Sequence, residues 1–163
     1  CHLNETAEDY GKRFEETLHT LMSQLNLMPG VMEMLTTLKK KGVRMCIATA
    51  STENSFKRKV SNHPEMIEFM DHCFTGDHVQ KGKPAPDLFL MALHKWEGIK
   101  PEEALVFEDS PLGIKAANNA GIPAIFVPDK NLDTESALGN IDAKPLLTIP
   151  SLTEFDYSKF IWE

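Results

Sequence analysis

The sequence predicts an α/β protein in which a parallel sheet carries helices on both faces. Short apolar runs of three to six residues alternate along the chain with longer segments of helical periodicity. Glycine and proline separate many of these segments, as expected where helices and strands end. Strands that alternate with helices at this spacing pair in parallel and are covered on both faces. The 163 residues, 42% of them hydrophobic, are enough for one domain with its own core.

The predicted helices share apolar side chains at intervals of three and four residues. In the first, residues 3–25, the intervals from Leu3 to Leu25 are 4, 3, 4, 4, 3 and 4. The segment Met28-Pro29-Gly30 follows as a hinge or helix start. Further helices are predicted at 31–41 before Gly42, from Ser51 or Thr52 through 60, at 66–70, at 86–96, and at 111–120 before Gly121.

The predicted strands are apolar runs that lie between these helices. They cover residues 43–48, 73–75, 104–107, 124–127 and 146–149. A terminal segment rich in aromatic residues follows the last of them. Functional groups in parallel sheets collect beyond the carboxyl ends of strands. Three segments in such positions carry side chains that can take part in chemistry.

The charge balance excludes some classes of function. The chain has 17 basic and 24 acidic residues, a formal charge of −7 and a pI near 5.4. We therefore expect no binding to nucleic acid or anionic membranes through net charge, and the apolar runs are too short to span a bilayer. Three widely spaced cysteines favour a reducing compartment, and we expect a cytoplasmic monomer.

The first strand end carries Thr49, Ala50 and Ser51. A hydroxyl and successive backbone N–H groups between a strand and a helix N-terminus can cradle an anion such as phosphate. Simple capping of the next helix by Ser51 or Thr52 explains the same residues without a ligand.

The second segment is Gly82-Lys83-Pro84-Ala85-Pro86-Asp87. Two prolines stiffen the backbone around Lys83, so that its ammonium can serve as a fixed charge for a phosphoryl group. The alternative is a solvated loop lysine.

The third strand end runs from apolar residues directly into Glu108 and Asp109. Adjacent carboxylates at this place favour a Mg²⁺ site, because a hard cation compensates their charge. The alternative is that they stabilise the N-terminus of the following helix.

Taken together and in this order, the three segments resemble the haloacid dehalogenase (HAD) superfamily of phosphohydrolases. The resemblance covers the chain from about Leu27 onwards. Within the superfamily, the sequence is similar to the pseudouridine-5′-phosphatase-like and beta-phosphoglucomutase-like branches. It rests on the segments 82–87 and 108–117, and for the branch on 27–31, 48–51, 127–129 and 131–132. It implies a three-layer HAD core over residues 27–163 and the C-terminal part of a helical cap over residues 1–26.

The resemblance also implies the chemistry. Thr49 and Lys83 would act in catalysis, Thr49, Ala50, Ser51 and Lys83 would bind phosphate, and Asp109 and Glu108 would hold Mg²⁺. Such a protein hydrolyses a small phosphomonoester through an aspartyl-phosphate, and pseudouridine 5′-phosphate or a similar nucleotide or sugar phosphate is the expected partner.

One family element is missing from these residues. The family's Asp-x-Asp pair, which supplies the nucleophile after the first strand, does not occur in the sequence. Because this pair precedes the cap in the family, the resemblance implies that it lies upstream of Cys1, and we expect a gap in the sheet beside the strand ending at Thr49. Two alternatives stay open: a catalytically inactive protein that binds a phosphorylated ligand or partner, and a sugar-phosphate phosphomutase.

Overall fold

A computed structural model describes residues 6–22 and 24–162, so that Leu3, the first residue of the predicted first helix, lies outside the described residues. Seven helices and five strands alternate over the described part of the chain. In order they are α1 (Ala7–Met22), α2 (Val31–Lys40), β1 (Cys46–Ala48), α3 (Glu53–Val60), α4 (Pro64–Ile67), β2 (His72–Phe74), α5 (Asp87–Leu93), β3 (Val106–Glu108), α6 (Pro111–Ala120), β4 (Ala124–Phe126), α7 (Thr134–Gly139) and β5 (Leu147–Thr148).

All strand pairs are parallel, which confirms the predicted fold class, but the strands form two sheets. β1 pairs with β2, with Ile47 opposite Cys73, and β4 lies between β3 and β5. Within the described residues, no strand pairs with the second edge of β1 or of β3. The expected gap therefore lies beside β1.

The core is centred on β4, whose three residues are fully buried. Side chains alternate between the two faces of a strand. Phe126 packs with residues of α5 and α6, including Leu93 and Ile114, on one face. Ile125 packs with Met34 of α2 and with residues of the C-terminal segment on the other face. The sheet of β3, β4 and β5 is thus covered on both sides, as the three-layer prediction requires.

Several element boundaries differ from the predictions. β1 begins at Cys46 rather than Val43, α4 lies at Pro64–Ile67 rather than 66–70, and α5 ends at Leu93, before Trp96. The short helix α7 was not predicted. Its N-cap is Asp133, whose carboxylate accepts a hydrogen bond from the Ser136 backbone N–H (3.2 Å). Six residues are too few to show a helical period in the sequence.

Helix α1 and the segment that follows it contact the rest of the chain through polar groups. Glu15 pairs with Arg58 of α3 at 2.5 Å, and the Leu25 carbonyl lies 2.8 Å from Nε2 of His63. That contact, with a second one to Glu65, raises the pKa of His63. Tyr10 and Phe14 on the apolar stripe of α1 are exposed. No described helix is both long and apolar enough to cross a membrane.

The two tryptophans lie against different sheets. The Trp96 ring centre lies 5.7 Å from the Arg44 guanidinium and 5.8 Å from the centre of the His72 ring of β2, to which it is tilted by 45°. Trp162 donates a hydrogen bond from Nε1 to the Tyr157 carbonyl (2.9 Å) and packs with Phe155 in the aromatic cluster that covers β4. The C-terminal aromatic residues therefore belong to the core.

Candidate active site

The carboxyl ends of β1 and β3 lie on either side of one lysine. The ammonium of Lys83 donates to the carbonyl of Ala48, the last residue of β1, at 3.2 Å. It also forms an ion pair with Glu108, the last residue of β3. The two side chains are only 11% and 8% exposed. Lys83 therefore joins the two sheets at the end where the sequence predicts the site.

The loop that carries Lys83 is held in two further ways. The ammonium lies 4.5 Å from the centre of the Phe89 ring, so that the ring face stabilises its charge. Asn119, near the end of α6, donates from its side-chain amide to the carbonyl of Pro84 (2.9 Å). These contacts hold Lys83 in one position, as expected for a fixed charge rather than a solvated loop lysine.

Glu108 is fully engaged by the protein. One carboxylate oxygen pairs with Lys83, and the other accepts a hydrogen bond from the backbone N–H of Ser110 at 3.1 Å. A β-carbon added at Gly113 of α6 would overlap this carboxylate. Glycine at position 113 thus lets α6 approach the strand end, and the carboxylate fills the space that a side chain would take.

Asp109 differs from its neighbour because it follows the last residue of β3 and is exposed. Among the described residues, no group of three or more His, Cys, Asp or Glu side chains lies close enough to hold a metal ion. Mg²⁺ is commonly bound by one or two carboxylates together with water and substrate oxygens. Asp109 fits such an incomplete set as a free carboxylate. Glu108 fits it less well, since its oxygens already have partners.

The predicted phosphate-binding residues form a tight loop after β1. The backbone N–H of Thr49 continues the strand ladder to the Phe74 carbonyl (2.9 Å). The Thr49 hydroxyl accepts the N–H of Ser51 (3.2 Å), so that this N–H is satisfied within the loop. Ala50 is exposed, and Thr52 caps α3 by accepting from the N–H of Ser55 (3.3 Å). Thr52 therefore caps α3, which leaves Thr49, Ala50 and Ser51 as the predicted phosphate-binding residues.

Three residues at this site were missed by sequence reasoning. Lys59 of α3 donates to the Ser51 hydroxyl (2.8 Å), Asp77 accepts from the backbone N–H of Glu53 (2.7 Å), and Asn119 holds Pro84. Each acts across eight or more residues of sequence. Their types are common on solvated surfaces, and no local pattern distinguishes them.

A depression with a volume of about 510 Å³ lies away from the candidate site, at the amino end of β4. Its polar groups are paired with one another. Asn118 exchanges two hydrogen bonds with the backbone of Lys144 (2.8 and 2.7 Å), and Asp142 pairs with Lys144 (3.1 Å). Such mutual pairing ties α6 to the segment before β5 and explains these residues without a ligand.

Comparison with known proteins agrees with this arrangement. The chain is 42% identical over 132 residues to (DL)-glycerol-3-phosphatase 1, mitochondrial, of Arabidopsis thaliana, covering 78% of the chain and 44% of that protein. It is 39% identical over 133 residues to a protein of Drosophila melanogaster named Probable pseudouridine-5′-phosphatase, covering 78% of the chain and 57% of the relative. The chain thus spans about half the length of these curated relatives.

Solved structures and a family model lead to the same assignment. The crystal structure of CbbY from Rhodobacter sphaeroides in complex with phosphate superposes with a TM-score of 0.74 at 25% identity, over 94% of this chain and 68% of that one. The family described as haloacid dehalogenase-like hydrolase matches residues 2–127. With its parallel strands and the lysine–carboxylate pair between two strand ends, the chain belongs to the haloacid dehalogenase-like hydrolase family.

Proposed function

We propose that the protein of which this chain forms part is a Mg²⁺-dependent phosphatase of small phosphomonoesters. The observation that carries the proposal is the buried Lys83–Glu108 pair, which holds an ammonium between the ends of β1 and β3. Phosphatases among the relatives, such as the glycerol-3-phosphatase, support the reaction class.

Each residue of the candidate site has a role in phosphoryl transfer that follows from its position. Phosphoryl transfer depends mainly on positioning and on stabilising charge that develops on the phosphoryl oxygens. The Lys83 ammonium would neutralise part of this charge, and the Thr49 hydroxyl and the Ala50 N–H would donate hydrogen bonds to the oxygens. Glu108 would hold Lys83 in place.

Asp109 would hold Mg²⁺ directly, and Glu108, whose two oxygens already contact Lys83 and Ser110, would contact the ion through water. When bound, Mg²⁺ would supply a positive charge to a phosphate oxygen and to the attacking group. Asp109 directly follows Glu108, so a cation held by its exposed carboxylate and the Lys83 ammonium would together offset negative charge on the phosphoryl group.

The nucleophile in this proposal is an aspartate outside the 163 residues. No two aspartates of the chain are separated by one residue. The free edges of β1 and β3, with Lys83 at their carboxyl ends, offer backbone groups to a further parallel strand. An aspartate at the end of that strand would reach the same region as Thr49, Lys83 and Asp109, and the reaction would pass through an aspartyl-phosphate.

The relatives support two candidate substrates for this proposal. Pseudouridine 5′-phosphate is our first choice, and glycerol 3-phosphate is the second, because phosphatases of both names share about two fifths of the aligned residues. Phosphate release from a panel of nucleotide, sugar and glycerol phosphates would rank them.

The test uses the full-length polypeptide that includes the upstream Asp-x-Asp segment. We expect Mg²⁺-dependent phosphate release, a loss of more than about tenfold in kcat/KM for Lys83→Ala, and a larger loss for Asp109→Asn at low Mg²⁺. Unchanged kcat/KM in Lys83→Ala would contradict the role of Lys83. Full activity of Asp109→Asn at every Mg²⁺ concentration would contradict the metal assignment, and no turnover of any substrate would favour an inactive binding protein.

A further inference from the structure

The loop of residues 49–52 has few bonds of its own to fix its shape. Inside it, the Thr49 hydroxyl accepts the N–H of Ser51 (3.2 Å), while Ala50 and Thr52 are exposed. A loop that binds phosphate by its backbone must hold its N–H groups in one orientation before the ligand arrives. The source of that order has to lie in a neighbouring segment.

The turn that follows β2, residues 75–78, forms bonds with the second half of the loop and with the residue that follows it. The backbone N–H of Gly76 donates to the Ser51 carbonyl at 2.9 Å. Oδ2 of Asp77 accepts the N–H of Glu53, the first residue of α3, at 2.7 Å. A β-carbon at Gly76 would come within 2.6 Å of the Ala50 carbonyl oxygen, so that glycine lets the two segments meet.

The turn itself is anchored in the core. Thr75 is 2% exposed, and its backbone N–H and hydroxyl contact Nδ1 of His78 at 3.0 and 2.9 Å. Asp77 therefore projects from a fixed turn onto a segment 24 residues away in sequence. By contrast, Asp133 and Asp156 accept backbone N–H groups two or three residues ahead of them, and so order only their own turns.

We propose that Asp77 is a positioning residue that holds the phosphate-binding loop after β1 in its binding conformation, by fixing the start of α3. The proposal rests on the proposed function, because the loop is assigned to phosphate there. A carboxylate beside an anion site disfavours the anion by charge repulsion, so the contribution of Asp77 is geometric. Its charge also matches the positive N-terminal end of α3.

The chain offers a matched control at the other end of the same two strands. Asp71 precedes β2, and its Oδ2 accepts the backbone N–H of Met45, just before β1, at 2.8 Å. Asp71 and Asp77 thus make the same kind of long-range bond between the β1 and β2 segments. Only Asp77 makes it at the carboxyl end, beside Ala50 and Ser51.

The experiment measures amide hydrogen exchange and binding of inorganic phosphate by NMR in the same full-length polypeptide that the activity test uses. Asp77→Ala is expected to increase exchange at residues 50–53 at least tenfold and to weaken phosphate binding at least fivefold. We expect Asp77→Ala and Asp71→Ala to lower the Tm by similar amounts. Asp71→Ala should leave both the exchange at residues 50–53 and the phosphate affinity unchanged. Asp77→Asn keeps an acceptor oxygen without the charge, so exchange should match the wild type and phosphate should bind equally or more tightly.

The outcomes separate the two ideas. Equal exchange at residues 50–53 in the Asp77→Ala and Asp71→Ala variants would overturn the positioning role. If Asp77→Ala does not fold, Asp77→Glu, which keeps the charge but displaces the oxygen, must raise exchange there, and wild-type exchange in it would also overturn the role. Absence of any phosphate-dependent shift at Ala50 and Ser51 in the wild type would instead contradict the proposed function, while the exchange data still decide on Asp77.

Discussion

β4 and β1 are parallel strands of three residues each, but they are enclosed to very different degrees. Every residue of β4 is buried and the strand has a neighbour on both edges, whereas β1 is half-buried and, within the part of the chain that the structure describes, pairs with β2 alone. The polar groups of the candidate site adjoin β1 and β3, not β4. We therefore expect the sheet of β3, β4 and β5 to contribute most of the stability, whereas the candidate site lies at the boundary between the two sheets.

Truncating one isoleucine in each strand tests this difference most directly. Ile125 in β4 is 0% exposed, and Ile125→Ala should lower the free energy of unfolding by about 4 kcal/mol because it leaves a cavity in close-packed surroundings. Ile47→Ala in the half-buried β1 should cost less than half as much. Urea denaturation measures both changes, and equal losses would show that the two strands contribute alike.

Breaking the ion pair between the sheets is expected to have the next largest effect. Lys83→Met leaves the Glu108 carboxylate buried without its partner, at a cost of about 3 kcal/mol. The double variant Lys83→Met, Glu108→Gln should recover most of this loss. As the control, Lys57→Met removes the exposed pair with Glu53 and should cost less than about 0.5 kcal/mol. A double variant no more stable than the single one would contradict the pairing.

Gly113→Ala tests the contact between α6 and β3. The added methyl group must displace the Glu108 carboxylate, and we expect the unfolding free energy to fall by about 2 kcal/mol. Gly11→Ala in α1 has open space around the new methyl group and should stabilise by up to about 1 kcal/mol through helix propensity. Thermal unfolding of both variants measures the contrast, which would disappear if Glu108 could move away freely.

The smallest expected effect concerns Cys46 in β1. Burial, with smaller contributions from Cys73 and Asp71, raises the pKa of this thiol to about 11 from an ordinary value of 9.0. The unfolded chain therefore loses the thiol proton first, so stability present below pH 9 is lost as the pH rises toward 11.

For a thiol that is only partly buried we expect a loss of about 1 kcal/mol over this range. The measurement is the unfolding free energy at pH 8.5 and pH 10.5 in the wild type and in Cys46→Ala. The variant should show the smaller decrease, and parallel curves would mean that the thiol titrates normally in the folded protein.

Sequence patterns predicted elements well where local chemistry marks their ends. Helix α6 begins at Pro111 and ends before Gly121 as predicted, because proline suits the first turn and Gly121 adopts a left-handed conformation (φ 73°). The predicted start of β1 at Val43 was wrong, because one local and one long-range hydrogen bond occupy the backbone before Cys46. The N–H of Val43 bonds to the Leu38 carbonyl at the end of α2, and that of Met45 bonds to the Asp71 carboxylate, so neither is available to a strand.

The residues of the candidate site could be predicted from the sequence, but their contacts with one another could not. Sequence analysis predicted Lys83, Glu108 and Asp109 as site residues, and it expected both carboxylates to hold Mg²⁺, Glu108 either directly or through water. In the structure Glu108 lies at the strand end against Lys83, and Asp109 faces solvent. The contact of Asp77 with Glu53 spans 24 residues, and only the fold brings these segments together.

The placement of the two tryptophans gives the molecule two separate optical reporters. Trp96 senses the β1–β2 sheet through His72, and Trp162 senses the sheet of β3, β4 and β5 through the aromatic cluster around Phe155. Replacing either one with phenylalanine leaves a single emitter on one half of the fold. If the β1–β2 half loosens first on heating, the emission of Trp96 changes at a lower temperature than that of Trp162, and the order in which the two halves come apart can be read from fluorescence alone.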